Sequence, residues 1–310
     1  MRIGFLSSFN EERIAFARKG GFGSVELLTG YFQGAPEYMP GKPDWKAKAD
    51  KVNAAYAAAD IRISCIGAFY LNHMDPTIEA QAKETVRNAI LLAEYLAVGA
   101  VAGFAGRVVD QPLEASLPKF KEIWGEHARF ADDHGVRIAF EPCPMGQYHT
   151  PSGGINCICT PVMYEKCLDS VSSTALGLEW DPSHLVGIFV DPVENLRKFG
   201  PRVYHVHAKG AKINKMNLAQ YGFWHERTCE HCFPGLGDEN WAEIIKELRR
   251  GGYHGDLNIE GWHDLVFRNP KDTAPSDVAV EKRGPVAPQL EDAGLIIALR
   301  HLQQYCPEGF

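Results

Sequence analysis

Eight short apolar runs recur along the chain, each followed by a loop and then a stretch with helical periodicity. This alternation restricts the fold more than any other feature of the sequence. The runs are Arg2–Leu6, Ser24–Leu28, Ile61–Gly67, Ala100–Phe104, Arg137–Glu141, Ala175–Asp181, Arg202–Ala208 and Asp256–Glu260. Helix-start chemistry lies between them. Asp75-Pro76, Thr160-Pro161 and Asp191-Pro192-Val193-Glu194 each pair a capping side chain with proline at the first helical position, and Asp238 precedes the apolar period Trp241, Ile244, Ile245, Leu248. Eight strands alternating with helices give either a closed (β/α)8 barrel or a large doubly wound sheet. The glycine-rich "GGFGS" precedes the second strand, where a helix-ending glycine belongs, so it is a weak match to a phosphate loop. A chain of 310 residues suits one barrel with insertions, and residues 1–310 are expected to form a single (β/α)8 barrel domain.

Four segments exceed the regular unit: residues 29–44, 143–160, 209–238 and 264–287. All follow strands, so in a barrel they stand on the rim where such folds do chemistry. A formal net charge of −7 and the absence of a basic run exclude the positive field that nucleic acid requires. The apolar segments "AILLAEYLAV" and "GLIIAL" are too short or carry a charge, so no membrane span is expected. The N-terminal stretch has no signal-peptide pattern, and the eight cysteines are too unevenly spaced for a disulfide framework. A reducing cytoplasm is the expected location.

The ends of the later strands carry the chemistry. "RIAFEP" ends on Glu141, "LGLEWDPSH" on Asp181, "VYHVHAKG" carries His207 near its end, and "LNIEGW" ends on Glu260. Strands five to eight therefore place an ionisable side chain at the same end, and in a parallel barrel these ends meet around one axis. Three carboxylates gathered after apolar runs repel one another, and a divalent cation relieves the repulsion. Three oxygens and one imidazole suit Mn2+, Mg2+ or Co2+ with open positions, while Zn2+ more often takes nitrogen or sulfur.

These pieces, together with "PGLGDENW" at 234–241, resemble the xylose isomerase-like TIM barrels, the sugar phosphate isomerase/epimerase group that includes ketose 3-epimerases. The resemblance covers nearly the whole chain and is specific to the superfamily rather than to a substrate. It implies that Glu141, Asp181, His207 and Glu260 hold one divalent ion, with Mn2+ the first choice and Mg2+, Co2+ or Zn2+ the alternatives. It further implies that Glu141 and Glu260 exchange protons with a ketose or keto-sugar through an enediolate, and that His184 touches substrate. Dimers and tetramers are common among such barrels.

Other rim residues are read as facing the substrate. His73, in "AFYLNHMDP", lies on the rim after the third strand. Lys209 and Arg227 follow the seventh and offer charge to hydroxyls, a carboxylate or a phosphate, and Trp262 offers a face on which a sugar stacks. His205 points to the same side as His207, one layer deeper. Cys229-x-x-Cys232 is half of a zinc site whose other half would be Cys143 or Cys157 and Cys159, but free cysteines in packed loops are the preferred reading. Three rival functions stand beside the isomerase/epimerase reading. One is a metal-dependent lyase or dehydratase of a keto-sugar, 3-keto glycoside or inosose. Another is an endonuclease of the same superfamily, which the acidic balance disfavours. The third is a non-catalytic sugar-binding barrel or a subunit that needs a partner.

Overall fold

The computed structural model describes residues 1–30, 35–145, 154–225, 227–261, 264, 266–267 and 288–306. In chain order the elements are β1 (Ile3–Ser7), α1 (Glu11–Gly20), β2 (Ser24–Leu28), α2 (Trp45–Ala58), β3 (Arg62–Phe69), α3 (Glu79–Tyr95), β4 (Ala100–Gly103), α4 (Leu117–Asp133), β5 (Arg137–Phe140), α5 (Pro161–Ser170), β6 (Leu176–Trp180), α6 (Pro182–Gly187), α7 (Pro192–Phe199), β7 (Val203–Ala208), β8 (Gly210–Ile213), α8 (Lys215–Tyr221), β9 (Cys229–Cys232), α9 (Trp241–Arg250), β10 (Leu257–Ile259) and α10 (Pro288–Gln303). Strands β1 to β7 and β10 close a barrel in the order β1-β10-β7-β6-β5-β4-β3-β2, with every pairing parallel. This is the (β/α)8 barrel that the alternation predicts. The long excursion after β7 contributes a feature the sequence did not announce, the antiparallel hairpin β8–β9. Among the described residues no helix is long and apolar enough to cross a membrane.

Strand periodicity divides the core in two. Outward-facing side chains such as Ile66, Val101, Ile138, Leu178 and Trp180 join the main core beneath the helices. There Trp124 of α4 packs edge-on to Phe140 with ring centroids 4.6 Å apart, and against Phe69 at 5.6 Å. Small side chains (Cys65, Ala100, Ala102 and Ala139) form a separate cluster on the alternate positions, inside the barrel. The interior at β2, β6 and β7 is polar instead. Between β6 and β7 the register shifts, so that Leu178 faces Val203 while Glu179 faces His205. This irregularity at Tyr204 turns both His205 and His207 toward the axis.

Helix starts show which sequence signals operate. Thr160 accepts a hydrogen bond from the Met163 amide, and Asp191 accepts from the amides of Val193 and Glu194, as expected. Two other expectations need correction. Asp75 does not cap α3; it closes a turn onto Thr77, and the helix begins at Glu79. Asn240, not Asp238, caps α9 through the Glu243 amide, because Asp238 is engaged by the Ile213 amide of the hairpin.

Gly177 shows why the strand feeding the site reads "LGLEW". A Cβ there would lie 2.3 Å from the Arg202 carbonyl oxygen and 2.4 Å from the Tyr204 ring. Gly177→Ala should therefore cost about 1–3 kcal/mol through overpacking, read as a lower urea midpoint with an unchanged m-value.

Candidate metal centre at the mouth of the barrel

Each residue of the centre is placed by the strand it ends. The Glu141 amide bonds the Gly103 carbonyl and the Glu260 amide bonds the Ala208 carbonyl, so both side chains extend the barrel ladder by one step. Asp181 caps α6, and its two oxygens divide the work. Oδ1 accepts from the Ser183 amide at 2.8 Å, which leaves Oδ2 facing the axis. One helical turn on, His184 Nε2 lies 3.2 Å from Asp181 Oδ2 and 3.2 Å from Glu141 Oε1. The Asp-Pro-Ser-His spacing thus places a cap and an imidazole side by side.

Glu141, Asp181, His207 and Glu260 come together, each buried, with one donor atom apiece and all four atoms within 4.8 Å of one another. His207 Nδ1 is 3.1 Å from Glu260 Oε2 and 3.7 Å from Glu141 Oε1. Two of the converging atoms, His207 Nδ1 and Asp181 Oδ2, make no well-aligned hydrogen bond despite being buried. Native structures rarely leave such atoms unsatisfied unless an ion or water takes them up. Three carboxylate oxygens and one imidazole nitrogen gathered within 4.8 Å of one another fit a divalent cation, so the cluster suggests a metal site.

Lys209 lies in the same cluster. It is buried, its Nζ donates to Glu260 Oε1 at 2.8 Å, and Asp181 Oδ2 is 3.9 Å away. Burial opposes its charge, but Glu260, Asp181 and Glu141 outweigh that cost and hold its pKa above the ordinary lysine value. Burial likewise pushes Glu141 up, yet the hydrogen bond from His184 and the proximity of His207 bring it down to about 2.

A second polar layer supports the first from below; of it, reading the strand ends places only His205, one step deeper than His207. His207 Nε2 is 2.7 Å from Glu26 Oε2 and 3.1 Å from Glu179 Oε1. His205 Nδ1 is 2.7 Å from Glu179 Oε1, and its Nε2 is 3.0 Å from Asn258 Oδ1. The Tyr70 hydroxyl lies 2.8 Å from Glu26 Oε1 and 3.3 Å from Glu179 Oε2. Glu26, Glu179, His205 and His207 also bring donor atoms within 4.8 Å of one another, but these are already engaged with one another, with Tyr70 or with Asn258. Burial disfavours charge on both histidines, yet the two glutamates hold both above the usual histidine range. Burial and the charge of Glu26 raise Glu179; burial also penalises Glu26, but His207 pulls it below the ordinary value. The signal was present in the sequence: "SVELL" and "LGLEW" each carry a glutamate inside an otherwise apolar strand. Asn156, which left no such signal, donates to the carbonyls of Glu141 and Cys143 at 2.8 Å and fixes the backbone that presents Glu141.

The other expected substrate residues are dispersed. His73 is buried behind β3, packed on Phe69 and Trp124, and not among the carboxylates. Arg227 is exposed near β9 and pairs with Glu230 at 3.3 Å. Trp262 lies outside the described residues. Cys229 and Cys232 belong to none of the metal-competent groups among the described residues, and burial pushes the Cys229 thiol up to about 12.

A (β/α)8 barrel with buried acids and a histidine converging at its mouth suggests a barrel built around a divalent metal site. The sequence profile of the xylose isomerase-like TIM barrel matches residues 14–284, and the chain belongs to that family. An inosose dehydratase of Bacillus thuringiensis (strain Al Hakam) is 26% identical over 179 residues, 53% of this chain and 55% of that protein. The chain thus spans about half the length of the curated relatives it matches first. The D-psicose 3-epimerase of Clostridium cellulolyticum H10 superposes with a TM-score of 0.68 at 16% identity, covering 98% of this chain and 99% of that one. The IOLI protein, solved with a zinc atom, superposes with a TM-score of 0.66 at 16% identity, over 99% of this chain and 96% of that one. At these identities the superpositions establish the fold.

Glu239, in the rim segment before α9, yields a pH prediction. Its Oε1 accepts from the Ala211 amide, while burial and then the charges of Asp181 and Asp238 push its carboxyl up to about 8 from 4.5. A raised carboxyl contributes stability that is complete below the unfolded pKa and is lost as pH rises through the folded one. Glu239→Gln should match the protein near pH 4.5 and become the more stable of the two as pH rises through 8, as read from urea midpoints across that range.

Proposed function

We propose that this protein is a divalent-metal-dependent isomerase or epimerase of a small ketose or keto-sugar, acting by proton abstraction beside the carbonyl. One observation carries the reading: Glu141 and Glu260 approach His207 Nδ1 from strands β5 and β10, which are separated by β6 and β7, so two carboxylates flank one point. Glu141, Asp181, His207 and Glu260 are the residues that would hold the ion, with Mn2+ the first choice for this donor set. A divalent cation bound there supplies Lewis-acid polarisation of the ketone and positive charge opposite the enediolate.

The chain's own groups move the proton. Glu141 is ionised at neutral pH but is a weak base while His184 donates to it. A substrate oxygen that takes over the His184 hydrogen bond frees the carboxylate to accept the proton. Glu260, across the cluster, passes on a proton taken from the Lys209 ammonium: delivery to the other face of the same carbon gives epimerisation and delivery to the neighbouring carbon gives isomerisation, leaving Glu141 protonated and Lys209 neutral until solvent restores both. Lys209, held against Glu260, meets a substrate hydroxyl or the negative oxygen.

A second reading, elimination, has a specific observation behind it. The Lys209 ammonium is a proton donor beside a candidate base, as expulsion of a hydroxyl or aglycone requires, and the inosose dehydratase is among the sequence relatives. One experiment separates the two. The Mn2+-loaded protein is incubated in heavy water with ketoses, keto-inositols and 3-keto glycosides, and NMR follows deuterium into carbon. Exchange with a new stereoisomer or aldose, reduced ~10²–10⁴-fold in Glu141→Gln and Glu260→Gln, is the expected result. Exchange with loss of water or aglycone moves the assignment to a lyase, and absence of exchange across the panel overturns both readings.

Glu26 supplies an independent check. Its carboxylate holds His207 Nε2, which directs Nδ1 toward the mouth. Glu26→Gln should weaken Mn2+ binding by ~10–100-fold in calorimetric titration while leaving the stoichiometry at the mouth unchanged.

A further inference from the structure

The stretch "EPCP" that follows β5 places a thiol beside the carboxylate that the proposed reaction uses as its base. Glu141 and Cys143 each precede a proline, which disfavours helical backbone and holds both residues extended. Residues two apart on an extended chain point to the same side, so the thiol stands on the side of the carboxylate. Asn156 pins this arrangement, since its Nδ2 donates to the carbonyls of both Glu141 and Cys143 at 2.8 Å. His184 comes in from α6, with Nε2 3.2 Å from Glu141 Oε1. Glu141, Cys143 and His184 thus offer a carboxylate oxygen, a sulfur and an imidazole nitrogen that all lie within 4.8 Å of one another. Glu141 and His184 are buried, while Cys143 is half-buried and in no disulfide. This group and the one at the mouth share Glu141 and no other residue.

We propose that Glu141, Cys143 and His184 form a second metal site, for thiophilic ions of the zinc class, beside the oxygen-rich centre at the mouth. Donor chemistry separates the two. Three oxygens and one nitrogen suit Mn2+ or Mg2+, whereas one sulfur, one nitrogen and one oxygen suit Zn2+, Co2+ or Cd2+. Three protein ligands leave the fourth tetrahedral position to water. The ion takes the thiolate, and the thiol proton leaves to solvent. Glu141 has two oxygens, and a carboxylate with one oxygen on each ion can serve both centres. Cys229 and Cys232 take no part, since neither belongs to this group. On the proposed reaction, an ion here occupies the carboxylate that accepts the proton, so zinc-class ions inhibit where Mn2+ activates. That consequence rests on the proposed reaction; the binding does not.

Cobalt is the probe, because thiolate bound to Co2+ gives a near-ultraviolet charge-transfer band that carboxylate and imidazole ligands do not. The full-length protein, stripped of metal and titrated with Co2+, should develop this band. Asp181→Asn/Glu260→Gln, which disables the mouth, should keep it, and so should Cys229→Ser/Cys232→Ser. Cys143→Ser should lose it. His184→Gln should weaken the Co2+ affinity read from the band by at least ~10-fold, because removing a direct ligand costs no less than removing its outer partner. Absence of the band, or a band that survives Cys143→Ser, overturns the proposal. So does a band lost when the mouth is disabled, which makes Cys143 a ligand of the mouth ion, or an affinity unchanged in His184→Gln, which leaves the thiol binding alone. Mn2+ titration followed by calorimetry reports the mouth separately, so the two centres fail independently. If the variants do not fold, diffraction at the zinc edge from zinc-soaked crystals of the unaltered protein decides. An anomalous peak bonded to Cys143 and apart from Asp181 supports the site, and peaks only elsewhere overturn it.

Discussion

The two nitrogens of His207 connect everything above and below them in this barrel. Nε2 is fixed by Glu26 and Glu179, and Nδ1 is left to the cluster of Glu141, Asp181 and Glu260. A ring that ligates an ion is neutral and carries one proton, so the hydrogen bond from Nε2 to a carboxylate would then present Nδ1 as the lone-pair donor. The lower acids therefore set the chemical character of the mouth without touching what binds there. Their own burial is tolerated because Tyr70, His205 and Asn258 take up the remaining atoms of the layer. An unpartnered charge in that interior would cost several kcal/mol.

The same logic explains what could be seen in the sequence. Charges that terminate apolar runs stand out, and Glu141, Asp181, His207 and Glu260 were visible for that reason. Glu26 and Glu179 carry an equally strong signal, a charge inside a strand, but its meaning depends on pairing between β2, β6 and β7, which are distant in sequence. Asn156 and Tyr70 were not legible, since an amide in a loop or a tyrosine after a strand is ordinary until its partners are known. Rim position was a poorer guide. His73 follows β3 as a rim residue should, yet its loop folds back and buries the ring behind the strand, while Arg227 was carried outward by the β8–β9 hairpin. The capping signals worked at Thr160 and Asp191 and failed at Asp75 and Asp238, where a local turn or a tertiary partner claimed the carboxylate first.

The long excursions also do electrostatic work at the mouth. The hairpin lies over one side of the cluster, with the His231 ring 5.3 Å from His184 and the Ala211 amide bound to Glu239. His184 therefore belongs to two environments at once, the acids of β5 and β6 and the hairpin above them. A substrate entering between them must compete for the hydrogen bond His184 gives Glu141, so the rim that selects substrate also governs the basicity of the carboxylate.

The charge of the mouth bears on its occupant. Glu141, Asp181 and Glu260 surround a point shared with His207 Nδ1, and Lys209 is the cation bonded to one of them. With the three acids ionised and Lys209 protonated, the cluster lacks two positive charges. A proton on His207 supplies one, but it leaves Asp181 Oδ2 without a well-aligned hydrogen bond. A dication supplies both charges and uses the imidazole and the aspartate oxygen together. Lys209 then sets the reaction's remaining freedom. Held to Glu260, it makes that carboxylate a poor base, and the acids that raise its own pKa make the ammonium a reluctant proton donor. Chemistry that moves a proton through either group therefore requires the substrate to draw the two apart.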